Sequence, residues 1–182
     1  RAPGSDTEGF MALEVRRLRP TDDRSDFRCG NIDLDRFFQR FAGQNQFRHH
    51  IGSTYVAVDD AVIRGFVTVA PSEITVPDLP ATARKKLPTY PLPVLRLARL
   101  AVDERYQGQG VGSTLLRSVL TLARRMADEF GCIGVVVDAK PDAVTFYEKL
   151  GFIRLGALAG QLGDRPEPLP MFLELAAIPW AR

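Results

Sequence analysis

The stretch Arg105-Tyr106-Gln107-Gly108-Gln109-Gly110-Val111-Gly112-Ser113 decides how this sequence folds. It follows an apolar run at residues 95–102 and precedes apolar residues at helical spacing, so it forms the turn between a strand and a helix. Its glycines let the backbone bend without Cβ clashes, and the first amides of a helix have no acceptor within that helix. Such a turn presents a row of N–H donors that suits a diphosphate.

The spacing of the glycines indicates which diphosphate ligand the turn takes. A dinucleotide-binding turn has the pattern Gly-x-Gly-x-x-Gly, and a Walker phosphate loop ends in Gly-Lys-Ser/Thr. This chain has neither pattern, because its glycines follow Gln107 as Gln-x-x-Gly-x-Gly. The plain structural alternative is an ordinary tight turn.

Composition favours one compact, soluble domain. The chain has 182 residues, of which 45% are hydrophobic, and a net charge of +2, which excludes an extreme polyelectrolyte but allows a local basic patch. Cys29 and Cys132 lack metal-ligand spacing, so we expect two reduced thiols and no metal. No apolar run reaches the roughly 18 residues that span a bilayer, and we expect a cytoplasmic protein without a membrane partner. We interpret residues 1–10 as a cloning remnant before Met11.

Periodicity predicts an α/β domain with a mixed, mostly antiparallel sheet. A first helix with apolar residues from Leu34 to Ala42 follows Asp33, its expected cap, and a hairpin turns at residues 59–61. Residues 71–93 contain six prolines and read as an irregular excursion with one short helix after Pro80. The other expected elements are strands at 13–18, 94–102, 133–137 and 171–175 and helices at 111–130 and 142–150.

Two motifs together resemble the GCN5-related N-acetyltransferases. Residues 107–112 follow Leu100-Ala101-Val102, and Phe146-Tyr147-Glu148-Lys149-Leu150-Gly151-Phe152 comes later, in the order that the family has. The resemblance covers about residues 13–175, and it implies a single N-acetyltransferase domain at 11–182 that has the acetyltransferase fold, a sheet flanked by helices. It also implies acetyl-coenzyme A (acetyl-CoA) as the acyl donor.

The resemblance assigns the site residues one by one. The strand before the loop would offer its backbone to the pantetheine arm, and the loop amides would hold the diphosphate. Tyr147 would be the general acid that returns a proton to the coenzyme A thiolate, because a phenol with a pKa near 10 matches that task. A buried core aromatic is the alternative for Tyr147, and the core also suits Phe146 and Phe152. The cofactor-binding set is Leu100, Ala101, Val102, Gln107, Gly108, Gln109, Gly110, Val111, Gly112, Ser113 and Phe146.

The sequence offers no clear general base. Adjacent His49 and His50 suit a solvated or nucleic-acid-facing position better than catalysis, and nothing favours Glu73 over Asp103. Lys140 stands where the family often has Asn. An α-amino group titrates near pH 8, so it needs less help to become a nucleophile than a lysine does.

A second, narrower resemblance concerns one group of acetyltransferases that act on an α-amino group. Residues 27–37 (FRCGNIDLDRF), 50–56 (HIGSTYV) and 97–103 (LARLAVD) are similar to the acetyltransferase toxins of bacterial type II toxin–antitoxin systems. That group acetylates the α-amino group of aminoacyl-tRNA and blocks translation. The resemblance therefore implies aminoacyl-tRNA as substrate, a homodimer, and a ribbon-helix-helix antitoxin as partner.

Basic residues permit tRNA binding without proving it. Arg84, Lys85 and Lys86 form the densest basic run, and Arg40, Arg48 and Arg96 are further candidates. Arg99 shares a strand face with Leu97 and Ala101, where a charge needs a partner such as a phosphate or a carboxylate. Solvated surface charge is the alternative for each.

The sequence is also compatible with two other functions. One is a general acetyltransferase of a small amine or a protein amine, although an obvious carboxylate cluster for a polycation is missing from the sequence. The other is a non-catalytic coenzyme A-binding module, which the presence of Tyr147 disfavours.

Overall fold

A seven-stranded mixed sheet organises the part of the chain that the structure describes, and it confirms the predicted fold class. The structure is a computed structural model that describes residues 13–79, 81–84, 86–155 and 168–178. The strand order is β1-β2-β3-β4-β5-β7-β6. The strands are β1 (Glu14–Arg17), β2 (Ser53–Asp59), β3 (Val62–Ile74), β4 (Leu92–Val102), β5 (Gly134–Ala139), β6 (Ile153–Arg154) and β7 (Leu169–Glu174).

Strand pairing is parallel between β4 and β5 and antiparallel in the pairs β1–β2, β5–β7 and β6–β7. The described helices are α1 (Ile32–Arg36), α2 (Ala81–Arg84), α3 (Val111–Glu129) and α4 (Val144–Lys149). None of them is long and apolar enough to cross a membrane. The interpretation of residues 1–10 as a remnant lies outside the described residues.

The chain groups into two compact units. The first comprises Arg1–Thr68 and Arg99–Leu116, and the second comprises Val69–Ala98 and Arg117–Arg182. Each has its own hydrophobic core. The assignment of residues 11–182 to a single domain stays a prediction.

The first helix begins two residues earlier than the sequence suggested. Asn31, not Asp33, is its cap, because the Asn31 Oδ1 accepts from the amides of Asp33 and Leu34 at 3.0 and 3.1 Å. Asp33 instead lies in the first turn, where its negative charge interacts favourably with the helix dipole and stabilises the helix. After α1 the helix widens into π turns at Phe37–Phe41 and Gln44–Arg48. This widening shifts the apolar spacing and leaves Phe41 45% exposed.

Phenylalanines pack the first helix onto β3. The ring of Phe38 stacks on Phe66 at 4.3 Å between centroids, and Phe27 meets both rings edge-on at 4.8 and 5.5 Å. All three side chains are buried. Phe27 thereby fixes the segment that leads into α1, a segment that also reaches the glycine loop.

The structure confirms the predicted hairpin turn, the short helix after Pro80 and the helix after the glycine loop. Asp60 and Ala61 both have positive φ, 46° and 63°, which is the geometry of a two-residue hairpin turn between β2 and β3. The short helix expected after Pro80 is α2. The helix after the glycine loop is α3, and Gly131 ends it with φ 113°. Phe130, the last residue of the helix expected from the sequence, follows Glu129 at the end of α3 and is 72% exposed.

In the second unit, β5 and β7 approach closely at Gly134. Gly134 pairs with Glu174, and a Cβ at position 134 would lie 2.3 Å from the carbonyl oxygen of Leu173 and 2.6 Å from the Phe172 ring. Backbone atoms cannot move away without breaking the strand pair. Only glycine therefore fits this register.

Gly134→Ala should lower the free energy of unfolding by at least about 2 kcal/mol, because a methyl group there overpacks the pair. Chemical denaturation measures the loss. Gly43→Ala is the matched control, since Gly43 has helical φ −63° and its Cβ would meet the Arg24 guanidinium at 3.1 Å, a side-chain group that donates to the Phe38 carbonyl and needs to move only a few tenths of an ångström. The gain in helix propensity offsets that shift, so this change should cost clearly less stability than Gly134→Ala. Equal losses for the two variants would contradict this account of β5.

Candidate active site

The glycine loop has the geometry of an anion-binding turn. Gly108 and Gly110 adopt positive φ, 76° and 81°, and α3 starts directly after them at Val111. Thr114 donates its amide to the carbonyl of Gly110 at 3.0 Å, so the amides of the first helical turn have no acceptor one turn behind them. Gly112 lies within the helix and has no special backbone role.

Open space lies over both left-handed glycines. A Cβ built at Gly108 or Gly110 would meet no heavy atom within 4 Å. Residues 107–110 are exposed, while Val111 is buried and anchors the helix start. Among the described residues, therefore, no side chain fills the space beside these two glycines, and the loop is open to solvent there.

The side chain of Gln107 holds the loop in place. Its Nε2 donates to the carbonyl of Val102 at 3.0 Å and to that of Cys29 at 3.1 Å. We expected the backbone groups of residues 100–102 to be free for the pantetheine arm. The Val102 carbonyl accepts from Gln107 and keeps a second lone pair, so the backbone contact to pantetheine stays a prediction.

Asp103 is not a free general base. It is 1% exposed and accepts hydrogen bonds from the backbone amides of Arg28 and Arg105 and from the Arg105 guanidinium. Burial pushes the pKa of Asp103 upward, but the hydrogen bonds from Arg105 and Arg28 outweigh it and lower the pKa overall. A carboxylate held this way is a poor proton acceptor.

Tyr147 lies in the second unit, on α4, with its ring buried. It meets Phe146 and Phe152 edge-on at 5.1 and 5.3 Å between centroids. Burial raises the pKa of Tyr147 above its ordinary value of 10.0. The phenol is therefore protonated at neutral pH, which is the state that a general acid requires.

Arg99 packs on an aromatic face in the first unit. Its guanidinium carbon lies 3.7 Å from the centroid of the Phe37 ring, a cation–π contact. Burial lowers the pKa of Arg99, as expected for a charge placed between buried Leu97 and Ala101 along β4. This contact places the guanidinium over the face of the ring.

The other basic candidates differ in their surroundings. Arg84 and Lys86 are exposed, and Lys85 lies outside the described residues. Arg96 forms an exposed ion pair with Asp138 at 2.6 Å, across the β4–β5 pair. Arg96 would have to exchange this partner in order to bind a phosphate.

The remaining candidate residues lie on the surface. His49, His50, Glu73 and Lys140 are exposed. Cys29 and Cys132 are free thiols; burial raises the pKa of both, for Cys29 to about 11 with help from Asp35. Among the described residues, no group of three or more His, Cys, Asp or Glu is placed to hold a metal ion.

Comparison with protein families agrees with the loop and with the fold. Residues 50–154 match the model of the acetyltransferase (GNAT) domain. The chain belongs to the GNAT acetyltransferase family. It is an acetyl-CoA-dependent N-acetyltransferase, and the left-handed glycines with open space above them fit the diphosphate of that donor.

Two similar proteins within this family are named as toxins. The chain is 34% identical over 139 residues to the tRNA-acetylating toxin of Mycobacterium tuberculosis (strain ATCC 25618 / H37Rv), which covers 75% of this chain and 82% of that protein. It is 28% identical over 166 residues to the probable toxin TacT of Sinorhizobium fredii (strain NBRC 101917 / NGR234), with 86% and 87% covered.

Solved structures of the toxin AtaT are also similar. One is AtaT complexed with acetyl-methionyl-tRNAfMet, with a TM-score of 0.79, 28% identity and coverage of 92% of this chain and 97% of that chain. Another is a tyrosine-to-phenylalanine mutant of AtaT bound to the C-terminus of the antitoxin AtaR and to acetyl-CoA. Its TM-score is 0.72 at 26% identity, with 92% and 96% covered.

Gly110→Ala should weaken coenzyme A binding at least about tenfold, because the methyl group enters the space over the amides and strains a left-handed position. Isothermal calorimetry with coenzyme A measures the affinity. Gly151→Ala is the matched control, since Gly151 also has positive φ, 96°, but ends α4. Both variants should lose similar stability. Undiminished affinity in folded Gly110→Ala would show that the loop does not hold the diphosphate.

Proposed function

We propose that this protein is a toxin that transfers the acetyl group of acetyl-CoA to the α-amino group of an aminoacyl-tRNA and thereby blocks translation. The observation that carries the proposal is the similarity, over nine-tenths of the chain, to AtaT complexed with acetyl-methionyl-tRNAfMet. The 34% identity to a tRNA-acetylating toxin supports it independently.

Acetyl-CoA supplies the acetyl group as a thioester, and the residues of this chain bind it and move a proton. The amides of residues 108–113 hold the diphosphate. The acceptor nitrogen bonds to the acetyl carbon as the C–S bond breaks, and Tyr147 donates its hydroxyl proton to the departing sulfur. The acceptor ammonium loses one proton to solvent before attack, which an α-amino group permits near neutral pH, and the nitrogen loses a second proton to solvent as the amide forms. The Tyr147 phenolate then takes a proton back from solvent, which restores the enzyme.

The acceptor needs phosphate contacts as well as an amine. We assign non-specific phosphate contacts to the basic run Arg84, Lys85 and Lys86, and further contacts to Arg96 and Arg99. Arg99 is the best supported of these residues, because contact with the Phe37 ring restricts where its guanidinium can lie.

The partners follow from the same relatives. We propose that the protein is neutralised by an antitoxin, as AtaT is bound by the C-terminus of AtaR. We further propose that the antitoxin is of the ribbon-helix-helix type, that the toxin is a homodimer, and that it acts in the cytoplasm on charged tRNA. Size-exclusion chromatography with light scattering tests the dimer.

Transfer from labelled acetyl-CoA should occur to aminoacyl-tRNA and be far slower, by at least about 100-fold, to the same amino acid as its simple ester. The reason is that the phosphate contacts position the amine only in the tRNA. Affinity for the tRNA should fall steeply with salt, as counterion release requires. Mass spectrometry of nuclease-digested tRNA identifies the acetylated amino acid. Efficient transfer to a lysine peptide or a small amine, with none to any charged tRNA, would favour a general acetyltransferase instead.

Tyr147→Phe should lower kcat by about 100-fold or more without loss of stability, because the ring contacts with Phe146 and Phe152 remain. Since the pKa of Tyr147 is raised, the wild-type enzyme should show no loss of activity from ionisation of this phenol below pH 10. Steady-state rates across pH measure both effects. Phe152→Leu, which alters the packing but not the hydroxyl, is the control, and full activity of Tyr147→Phe would assign the ring to the core alone.

A further inference from the structure

We propose that Asp103, together with Gln107, is a positioning residue that fixes the diphosphate loop by tying it to the segment Arg28-Cys29. Nothing in the resemblance or the relatives assigns this role to either side chain. The proposal rests on acetyl-CoA binding and not on the identity of the acceptor.

The first observation is the burial of a carboxylate directly before the loop. Among the described residues, Asp103 is the one charged residue that is almost fully buried, at 1% exposure. A buried carboxylate is costly unless donors surround it. Its donors come from the loop, through Arg105, and from a segment 75 residues earlier, through the amide of Arg28 at 3.3 Å.

The second observation is that the same two segments are joined by further bonds. The amide of Glu104 donates to the carbonyl of Arg28 at 2.8 Å, and Gln107 donates to the carbonyl of Cys29 at 3.1 Å. Asp103 also donates its own amide to the Arg64 carbonyl on β3 at 2.8 Å. Residues 103–107 are therefore held at both ends, and the diphosphate amides begin at the next residue.

The third observation is that the segment Arg28-Cys29 is itself rigidly held. The Cys29 amide donates to Asp35 of α1 at 2.8 Å, and the Phe27 carbonyl accepts from Gln39 at 2.8 Å. Gly30 has φ 91°, and a Cβ there would lie 3.0 Å from Glu104 Oε1. The first helix and its core thus provide a fixed support against which the loop is aligned.

Charge balance explains why an anion can stand beside a diphosphate site. The carboxylate of Asp103 would repel a bound diphosphate if it were unpaired. Arg105 neutralises it through a bond from Nε at 2.9 Å and one from Nη2 at 3.2 Å. The Arg105 side chain is 56% exposed, so it reaches the carboxylate from the solvent side.

Three variants test the proposal through calorimetry with coenzyme A and steady-state kinetics with acetyl-CoA. Asp103→Asn keeps the shape but removes the charge and turns one acceptor into a donor. Gln107→Leu removes the hydrogen bonds to the carbonyls of Val102 and Cys29. Because Gln107 is exposed, we expect this variant to fold. Both should raise Kd for coenzyme A and KM for acetyl-CoA about tenfold, while kcat at saturating acetyl-CoA stays within about threefold. Arg105→Lys keeps the backbone cap and should show a smaller rise.

Arg125→Ala is the control, because it removes an exposed ion pair with Glu129 on α3. It should change neither constant. If Asp103→Asn does not fold, Gln107→Leu and Arg105→Lys decide. Folded variants with unchanged KM, or with lowered kcat and unchanged KM, would overturn the proposal. Failure of the wild-type protein itself to bind coenzyme A would instead contradict the acetyltransferase assignment, and this proposal with it.

Discussion

The hydrogen-bonded carboxylate of Asp103 is the interaction on which the acyl-donor site depends. It ends β4 inside the protein, where a charge is stable only if several donors converge on it. Those donors come from the loop and from the segment before α1. The phenylalanine core around Phe38 and Phe66 is what keeps that segment in reach. Core packing, the buried charge and the glycine loop therefore form one arrangement.

The loop needs this support because its own backbone conformation is not stabilised by regular secondary structure. Two left-handed glycines give the turn its shape at an entropic cost, and its exposed amides hydrogen-bond to water until an anion replaces it. A loop fixed in advance spares the ligand the cost of ordering it. The same logic applies to Arg99, whose stacking on Phe37 orients a guanidinium before any substrate arrives.

Local signals in the sequence were enough for the loop, the hairpin at Asp60 and the start and end of α3. Each of these depends on residues within a few positions of one another. The sequence did not reveal that Asp103 bonds to Arg28, because the partners are 75 residues apart and nothing in the two stretches that contain them indicates that they pair. The Asn31 cap was missed because Asp33 is also a good cap, and only the backbone shows which accepts. The predicted helix reached residue 130 because the helical spacing of apolar residues continues to Phe130, one residue beyond the end of α3.

Amide hydrogen exchange, resolved by residue with and without coenzyme A, tests the central claim most directly. The amides of residues 103–106 donate to Arg64, Arg28 and Asp103 in the free protein, so they should already be protected. Those of residues 108–113 should exchange quickly and become protected when coenzyme A is added. Fast exchange at residues 103–106 until the ligand binds would contradict the account, because it would mean that the ligand builds the loop.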